Sequence, residues 1–488
     1  MPRYTPHRRR PSHRPPGLGR LAVIAAACFL VSAPVHGDEL AKRIASLVDT
    51  YEQHSAGAAA VSVVGLGDGP HVAIRADRTS IPASNQKLLT TAFIFARFGP
   101  TYRFCTDVYL RGDDLVIVGG YDPLLGDPVL ADNSDQSIYA DLDAWAAAVA
   151  KATDRTLRGD IILSGPAPAG PARPRDWPAD QLQRDYAAPA GPLNFHNNCI
   201  AVSFAADADR PAPRLSPRSR YIRVVNKVRI GRRNLWRMST SEDDATVTLH
   251  GTVTGKKTWP LHVAIDRPAL LLGRVLAERL AKAGVAFDGD IRRSDPLNAD
   301  TADMMHLHRT ATSLALVCQR VNKRSINMAA ECMLLAAGDG TWAGSAQRMT
   351  QTLIETYGLA EADVRAADGS GLSRRNRVTP RAVTAILAAL SRGPGGAVLL
   401  ESLPTAGVDG TLRKRLGEPG VRGRIRAKTG YIRGVSCLSG YVLDDESVPR
   451  IAFSVMVNGI KPGKAWKAKN LQDAICRALI RHLNAGGR

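Results

Sequence analysis

Pro82-Ala83-Ser84-Asn85-Gln86-Lys87-Leu88-Leu89 is the stretch on which the reading of the fold turns. Leu88, Leu89, Ala92 and Phe93 recur at helical spacing and predict a helix that opens at Ser84. On a helix, residues three apart share a face one turn apart, so Lys87 can reach the Ser84 hydroxyl. A serine hydroxyl is a weak nucleophile until a base takes its proton. A lysine serves as that base only where desolvation or a neighbouring cation lowers its pKa. Ser84 in the first turn also keeps its backbone N–H free to donate to an oxyanion.

S-x-x-K alone is a common helical pattern, and its meaning comes from two later motifs in order. Ser325-Ile326-Asn327 falls at a break between two predicted helices, after the polar stretch Gln319–Arg324. Such a turn aims Ser325 into a cleft to relay a proton, and Asn327 to hold a substrate amide. Lys428-Thr429-Gly430 lies within Arg424–Tyr431, a predicted edge strand whose backbone can pair with an extended peptide. Lys428 and Thr429 suit a terminal carboxylate, and Gly430 removes bulk beside the acyl group. S-x-x-K, S-x-N and K-T-G in this order are the signature set of class A β-lactamases and penicillin-binding proteins. There is no G-x-S-x-G, H-E-x-x-H or P-loop pattern. The eleven histidines do not cluster, and His196 beside Asn197 and Asn198 reads as a polar loop or strand edge. No cofactor and no metal is expected.

Around these motifs the texture divides in three. An amphipathic helix over 38–53 precedes strands near Ala60–Val64 and Val72–Ile74. From about residue 100 short strands alternate with Gly, Pro and Asp. Gly165–Pro178 reads as a loop, and a helix with Pro268 near its start closes the section. Helical spacing returns over 312–322, 327–337, 345–357 and 379–391, followed by strands near Val435–Leu443 and Arg450–Val457 and a helix over 465–484. One α/β domain built from both ends of the chain, with a β-rich insertion, accounts for this order.

A chain of 488 residues with 44% hydrophobic and 23% charged residues fits two or three soluble domains. Only 5% are aromatic, which argues against a nucleic-acid binder built on stacking. Residues 1–20 carry six arginines and no acid, before the apolar run Leu21–Val31 and the small stretch Ser32–Gly37. That is the order of a secretory signal cleaved after Gly37. Export to the periplasm or cell envelope is the expectation. Cleavage would lower the formal charge from +20 to +14. For an exported protein that charge points to anionic wall peptides, with peripheral contact to acidic lipid headgroups a second expectation. The six cysteines beyond the leader form no C-x-x-C pair, so a zinc site is not expected.

On these motifs the chain resembles the class C penicillin-binding proteins, exported D-alanyl-D-alanine carboxypeptidases/endopeptidases. Further landmarks are Gly119-Gly120-Tyr121-Asp122-Pro123, Asn194–Asn198, Asp368-Gly369-Ser370-Gly371-Leu372-Ser373-Arg374 and Ala406-Gly407-Val408-Asp409-Gly410-Thr411-Leu412. The 241-residue step from Ser84 to Ser325 also resembles this family, which carries inserted domains there. The resemblance implies an α/β penicillin-recognising (β-lactamase/transpeptidase-like) domain from 38–105 and 295–488, with 106–294 as two β-rich inserts. It implies Ser84 as nucleophile on D-Ala-D-Ala stem peptides of peptidoglycan, with Lys87 and Ser325 in proton transfer. Asn327, Lys428, Thr429 and Gly430 would position substrate, and the N–H groups of Ser84 and Tyr431 would form the oxyanion hole. β-Lactams would be covalent inhibitors. The alternatives are a β-lactamase or a slow peptidoglycan-binding scaffold. Two departures stand out: Tyr431 stands where the wider superfamily more often has a small residue, and Ser164–Pro178 is Gly/Pro/Ala-rich where family members often carry acidic residues.

Overall fold

The computed structural model describes residues 35–486 except 56, 167–169, 206–210, 255–257 and 295–302. The expected leader, 1–37, lies outside the described residues but for its last three positions.

Alternation along one strand decides the architecture. Val435, Cys437, Tyr441 and Leu443 face one apolar layer, and Leu438 and Val442 face another. A strand buried on both faces must lie inside a stack of layers. The sheet runs Ile425–Ile432, Val435–Leu443, Pro449–Asn458, Ala58–Gly65 and His71–Ile74, antiparallel throughout. All eight residues of Ala58–Gly65 pair with the strand near the C-terminus, from Ala58 opposite Asn458 to Gly65 opposite Ile451. The two ends of the chain therefore make one domain. Helices Val35–His54 and Ala465–Gly486 cover one face through Ile44, Val48, Leu471 and Ile475. Helices Gln86–Phe98, Leu314–Arg324, Asn327–Ala337, Trp342–Tyr357 and Pro380–Arg392 build the layer on the other. Among the described residues no single helix is long and apolar enough to cross a membrane.

Between Phe98 and Leu314 the chain forms a five-stranded sheet, two three-stranded sheets and a two-stranded pair. One continuous apolar cluster, from Val108 to Val285, runs through this region. It also holds helices Pro128–Asn133, Ala140–Ala152 and Pro268–Lys282, of which only the last was signalled by the sequence pattern. In Ala140–Ala152, alanines blur the period by which Leu142, Trp145 and Val149 are buried.

The boundary expected at 295 needs correcting. Strand Met305–Ser313 pairs with Arg103–Arg111, with Thr310 opposite Thr106, as the edge of the insert's five-stranded sheet. Its backbone is satisfied there and not in the sheet built from the two ends of the chain, so the α/β layer resumes at Leu314. The insert is bolted to that layer by a buried ion pair. Arg320 Nη2 donates to both oxygens of Asp127 at 2.9 and 2.7 Å, and Nε adds a third bond at 3.1 Å. Breaking one partner of a buried pair leaves an uncompensated charge, which costs about 3–5 kcal/mol.

Candidate active site

Ser84 sits on a strained turn. Ala83 is fully buried at φ +46, a left-handed conformation that costs a non-glycine residue about 1–2 kcal/mol. Ala83–Asn85 form a tight 3-10 turn, and the α-helix proper begins at Gln86. Two glycines let neighbouring segments close on this turn. A Cβ on Gly371, itself at φ +86, would lie 1.8 Å from the Ala83 carbonyl oxygen. A Cβ on Gly430 would lie 2.7 Å from the Pro82 oxygen and 3.0 Å from Asn85 Oδ1. The glycine of K-T-G is thus required by backbone packing against the Ser84 turn.

Lys87 is completely buried, and its amine meets three oxygens. Nζ lies 3.2 Å from Ser84 Oγ, 2.6 Å from Asn327 Oδ1 and 2.7 Å from the Ser370 carbonyl. Burial lowers its pKa to about 7, against the opposing pull of Glu331 and Asp368. Glu331 stands one turn after Asn327 on the same helix, wholly buried, and accepts from the N–H groups of Gly369 and Ser370 at 2.8 Å each. Burial pushes its pKa up to about 8. Asp368 accepts from Gly371 N–H at 2.7 Å, Asn376 Nδ2 at 2.7 Å and the Trp177 indole at 3.0 Å. A fourth bond comes from Ser373 N–H at 2.5 Å. The carbonyl that receives Lys87 is therefore fixed by two buried acids behind it.

The second half of the site centres on Lys428, also fully buried. Its Nζ donates to Ser325 Oγ at 2.9 Å and to the Thr429 carbonyl at 2.9 Å. Burial holds its pKa well below the usual value, and Lys87 lowers it further. Ser325 occupies the left-handed region, φ +58 and ψ +37, which breaks the helix between Arg324 and Asn327. Thr429 Oγ1 lies 2.8 Å from Thr411 Oγ1. On the K-T-G strand, Ala427 N–H donates outward to Pro404, and Ile425 C=O accepts from Ala406. Backbone groups alternate along an antiparallel strand, so the Thr429 and Tyr431 N–H groups face the same open edge. The Tyr431 ring is exposed, with Lys469 Nζ 5.6 Å from its centre, so its side chain leaves that N–H in place.

All eight residues singled out from the sequence fall on these few segments. Asn327 differs from expectation: Oδ1 receives Lys87, and Nδ2 donates 2.7 Å to the Tyr186 carbonyl, so both ends of its amide are engaged within the protein. His196 opens the short turn His196–Asn198 directly before the strand Cys199–Phe204. It is buried, with Nδ1 2.9 Å from the Cys199 carbonyl and Nε2 3.2 Å from Ser216 Oγ. The six described cysteines are free. Glu331, Trp177 and Tyr186 were missed, and Asp368 was read only as part of a landmark. For Glu331 a signal existed: a lone acid in Asn327-Met328-Ala329-Ala330-Glu331-Cys332-Met333, four residues after the motif asparagine. Trp177 and Tyr186 come from the insert, and nothing local marks them.

A five-stranded antiparallel sheet between helical layers, with its paired lysines and serines at the sheet edge, is the penicillin-recognising α/β fold. The chain belongs to the D-Ala-D-Ala carboxypeptidase 3 (S13) family, which it matches over residues 40–481. It is by that membership a serine-type carboxypeptidase. It is 30% identical to a D-alanyl-D-alanine carboxypeptidase of Actinomadura sp. (strain R39), over 82% of this chain and 77% of that one. It is 24% identical to the D-alanyl-D-alanine carboxypeptidase DacB of Haemophilus influenzae, over 78% of this chain and 81% of that one. Among solved structures, penicillin binding protein 4 of Haemophilus influenzae superposes with a TM-score of 0.73 at 20% identity, covering 89% of this chain and 99% of that one. The same protein complexed with a β-lactam gives a TM-score of 0.70.

Proposed function

We propose that the enzyme cleaves the terminal D-Ala-D-Ala bond of peptidoglycan stem peptides through an acyl-enzyme on Ser84, and also acts as an endopeptidase on cross-linked peptides. One observation carries the reading: the surroundings of Lys87 Nζ. A neutral amine has two N–H bonds and one lone pair. Asn327 Oδ1 and the Ser370 carbonyl can only accept, so they take the two N–H bonds. The lone pair is left for the Ser84 O–H.

The steps follow from this arrangement. Ser84 Oγ bonds to the penultimate D-Ala carbonyl carbon as its proton passes to Lys87. The N–H groups of Ser84 and Tyr431 hold the oxyanion. Collapse breaks the C–N bond, and the departing amine takes a proton relayed by Ser325. Water then releases the acyl group by the same route in reverse. Lys428 and Thr429 bind the terminal carboxylate, and Asn327 orients Lys87 instead of holding a substrate amide. β-Lactams enter as mimics of the same peptide. Export and action at the cell wall are part of this proposal, motivated by the charged-apolar-small order of residues 1–37. N-terminal sequencing of secreted material that still began at Met1 would remove the cleaved leader from it.

The deciding experiment is intact-mass analysis with penicillin. One penicilloyl adduct is expected on the wild type and none on Ser84→Ala. An adduct that clears within seconds while penicillin is consumed would make the enzyme a β-lactamase instead. Digestion of cross-linked muropeptides that released no monomers would remove the endopeptidase part.

A further inference from the structure

A cavity of about 820 Å³ lies apart from the serine–lysine cleft, lined by none of Ser84, Lys87, Ser325 and Lys428. Close-packed interiors leave few voids larger than a water molecule, and pockets of about 300–1,000 Å³ are the size that holds small ligands. Its walls come from the insert, from the helices Asn327–Ala337 and Trp342–Tyr357, and from the segment 365–375. Trp342, Leu193 and Leu335 supply apolar surface. Four arginines, Arg175, Arg293, Arg365 and Arg375, line the same cavity.

The charge in this cavity is unbalanced. None of the four guanidinium groups meets a carboxylate among the described residues. Two acids also line the cavity, and neither is paired with one of the four arginines. Asp176 accepts from the Ser373 hydroxyl, and Asp266 pairs with Arg173 at 2.6 Å. Arginine forks match carboxylates bidentately, and here four exposed arginines line one cavity together with apolar side chains, with Arg365 Nη2 donating to the Arg375 carbonyl at 3.4 Å. A ligand that complements such a cavity has several carboxylates on a short, partly apolar frame.

We propose that this cavity is a second binding site for a carboxylate-bearing peptide, of the class to which the enzyme's own stem-peptide product belongs. The peptide class rests on the substrate reading above; the demand for carboxylates rests on the arginines alone. The cavity wall is covalently continuous with the catalytic support. Asp176 lines the cavity, and the next residue, Trp177, donates its indole N–H to Asp368 behind Lys87. Occupancy is thus coupled through two adjacent residues to the loop that holds the catalytic amine.

The test keeps the two sites apart. Wild-type protein is first acylated with penicillin, verified by mass, so that the Ser84 cleft is filled. It is then titrated calorimetrically with the tetrapeptide L-Ala-γ-D-Glu-L-Lys-D-Ala acetylated on both amines, which leaves its carboxylates as the charged groups. One saturable site is expected on the acylated protein. The double variant Arg365→Ala/Arg375→Ala should bind at least tenfold more weakly while taking up penicillin like the wild type, and amidating the peptide's carboxylates should weaken binding to the same degree. No binding to the acylated protein overturns the proposal, as does unchanged affinity in the double variant. Citrate binding as tightly as the peptide also overturns it, since the site would then select charge without the peptide frame. If penicillin fails to label Ser84, the catalytic reading fails by itself. The arginine comparison then still decides the cavity on unlabelled protein.

Discussion

Two lysines are buried in this site, and the protein holds them in opposite ways. Lys87 is enclosed by strict acceptors, with the acids Glu331 and Asp368 close enough to pull against its desolvation. Lys428 has a hydroxyl and one carbonyl, and beyond burial its charge meets the repulsion of Lys87. The same side chain is therefore tuned to two ends. Lys87 is poised near neutrality, where an amine can accept a proton. Lys428 is short of negative charge until an anion arrives, and a substrate carboxylate would supply it. Burial alone does not assign a role; the chemistry of the partners does.

The largest expected effect separates the two directly. Lys87→Met should slow acylation by penicillin by roughly 10²–10⁴-fold, the usual worth of a positioned general base. Lys428→Met should cost about 1.5–3 kcal/mol, the scale of a hydrogen bond to a charged group, and fall mainly on KM for the peptide. Stopped-flow acylation and steady-state peptide hydrolysis measure both. Equal losses on both variants would break the distinction between base and anchor.

The pH profile sharpens it. The pKa of Lys87 in the folded protein is depressed to about 7, so the free base is present above that value and is lost as pH falls through it. Acylation should rise with pH along an acid limb centred near 7 and lose about tenfold per unit below it. The groups that bear on this limb are Glu331, Asp368 and Lys428. A limb centred near 10 would mean that the amine is not desolvated as its surroundings require.

Next comes the support behind Lys87. Glu331→Gln keeps size but replaces one acceptor by an NH₂ group, which cannot receive the N–H of either Gly369 or Ser370. A buried donor left unsatisfied costs about 1–3 kcal/mol, and the Ser370 carbonyl that aims Lys87 would be released. Acylation should fall roughly 10–100-fold, while the equivalent loss at Lys428 should be absent. Wild-type rates in this variant would leave Asn327 as the sole support of the base.

How far these details could be read from the chain depends on their range. The three motifs and the outer helices and strands were legible because each has a local period or spacing. The separation of Ser84 from Ser325 announced an insert. Its inner edge was not legible: Met305–Ser313 looks like the approach to a helix, and only pairing with Arg103–Arg111, two hundred residues away, makes it a strand. The Ala140–Ala152 helix was hidden by residues that carry no hydrophobic contrast. In the site, the motif residues were found and their partners were not. Asp368 was visible only as part of a landmark, while Tyr186 and Trp177 act through a carbonyl and an indole N–H delivered by the insert. Contacts made by backbone atoms across the fold leave no mark in sequence.

The smallest expected effect tests whether the insert belongs to the Lys87 half at all. Trp177→Phe keeps an aromatic ring and removes only the N–H that reaches Asp368 at 3.0 Å. Asp368 would retain Gly371 N–H, Ser373 N–H and Asn376 Nδ2, three donors for a carboxylate with about four acceptor sites. The lost bond is one of several to a charged acceptor, so about 1–2 kcal/mol of stability should go. Because Glu331 still grips the amides of Gly369 and Ser370, the Lys87 carbonyl should stay aimed. Acylation should change by no more than about threefold, roughly half of the ~1.4 kcal/mol in the barrier that a tenfold change would take. Chemical denaturation and stopped-flow acylation on one preparation read the two quantities separately. If acylation instead falls as far as in Glu331→Gln, the loop behind Lys87 is held as much from the insert as from its own layer. The contrast between the two lysines would then be set by three segments of chain, with Trp177 among the positioning residues of the base.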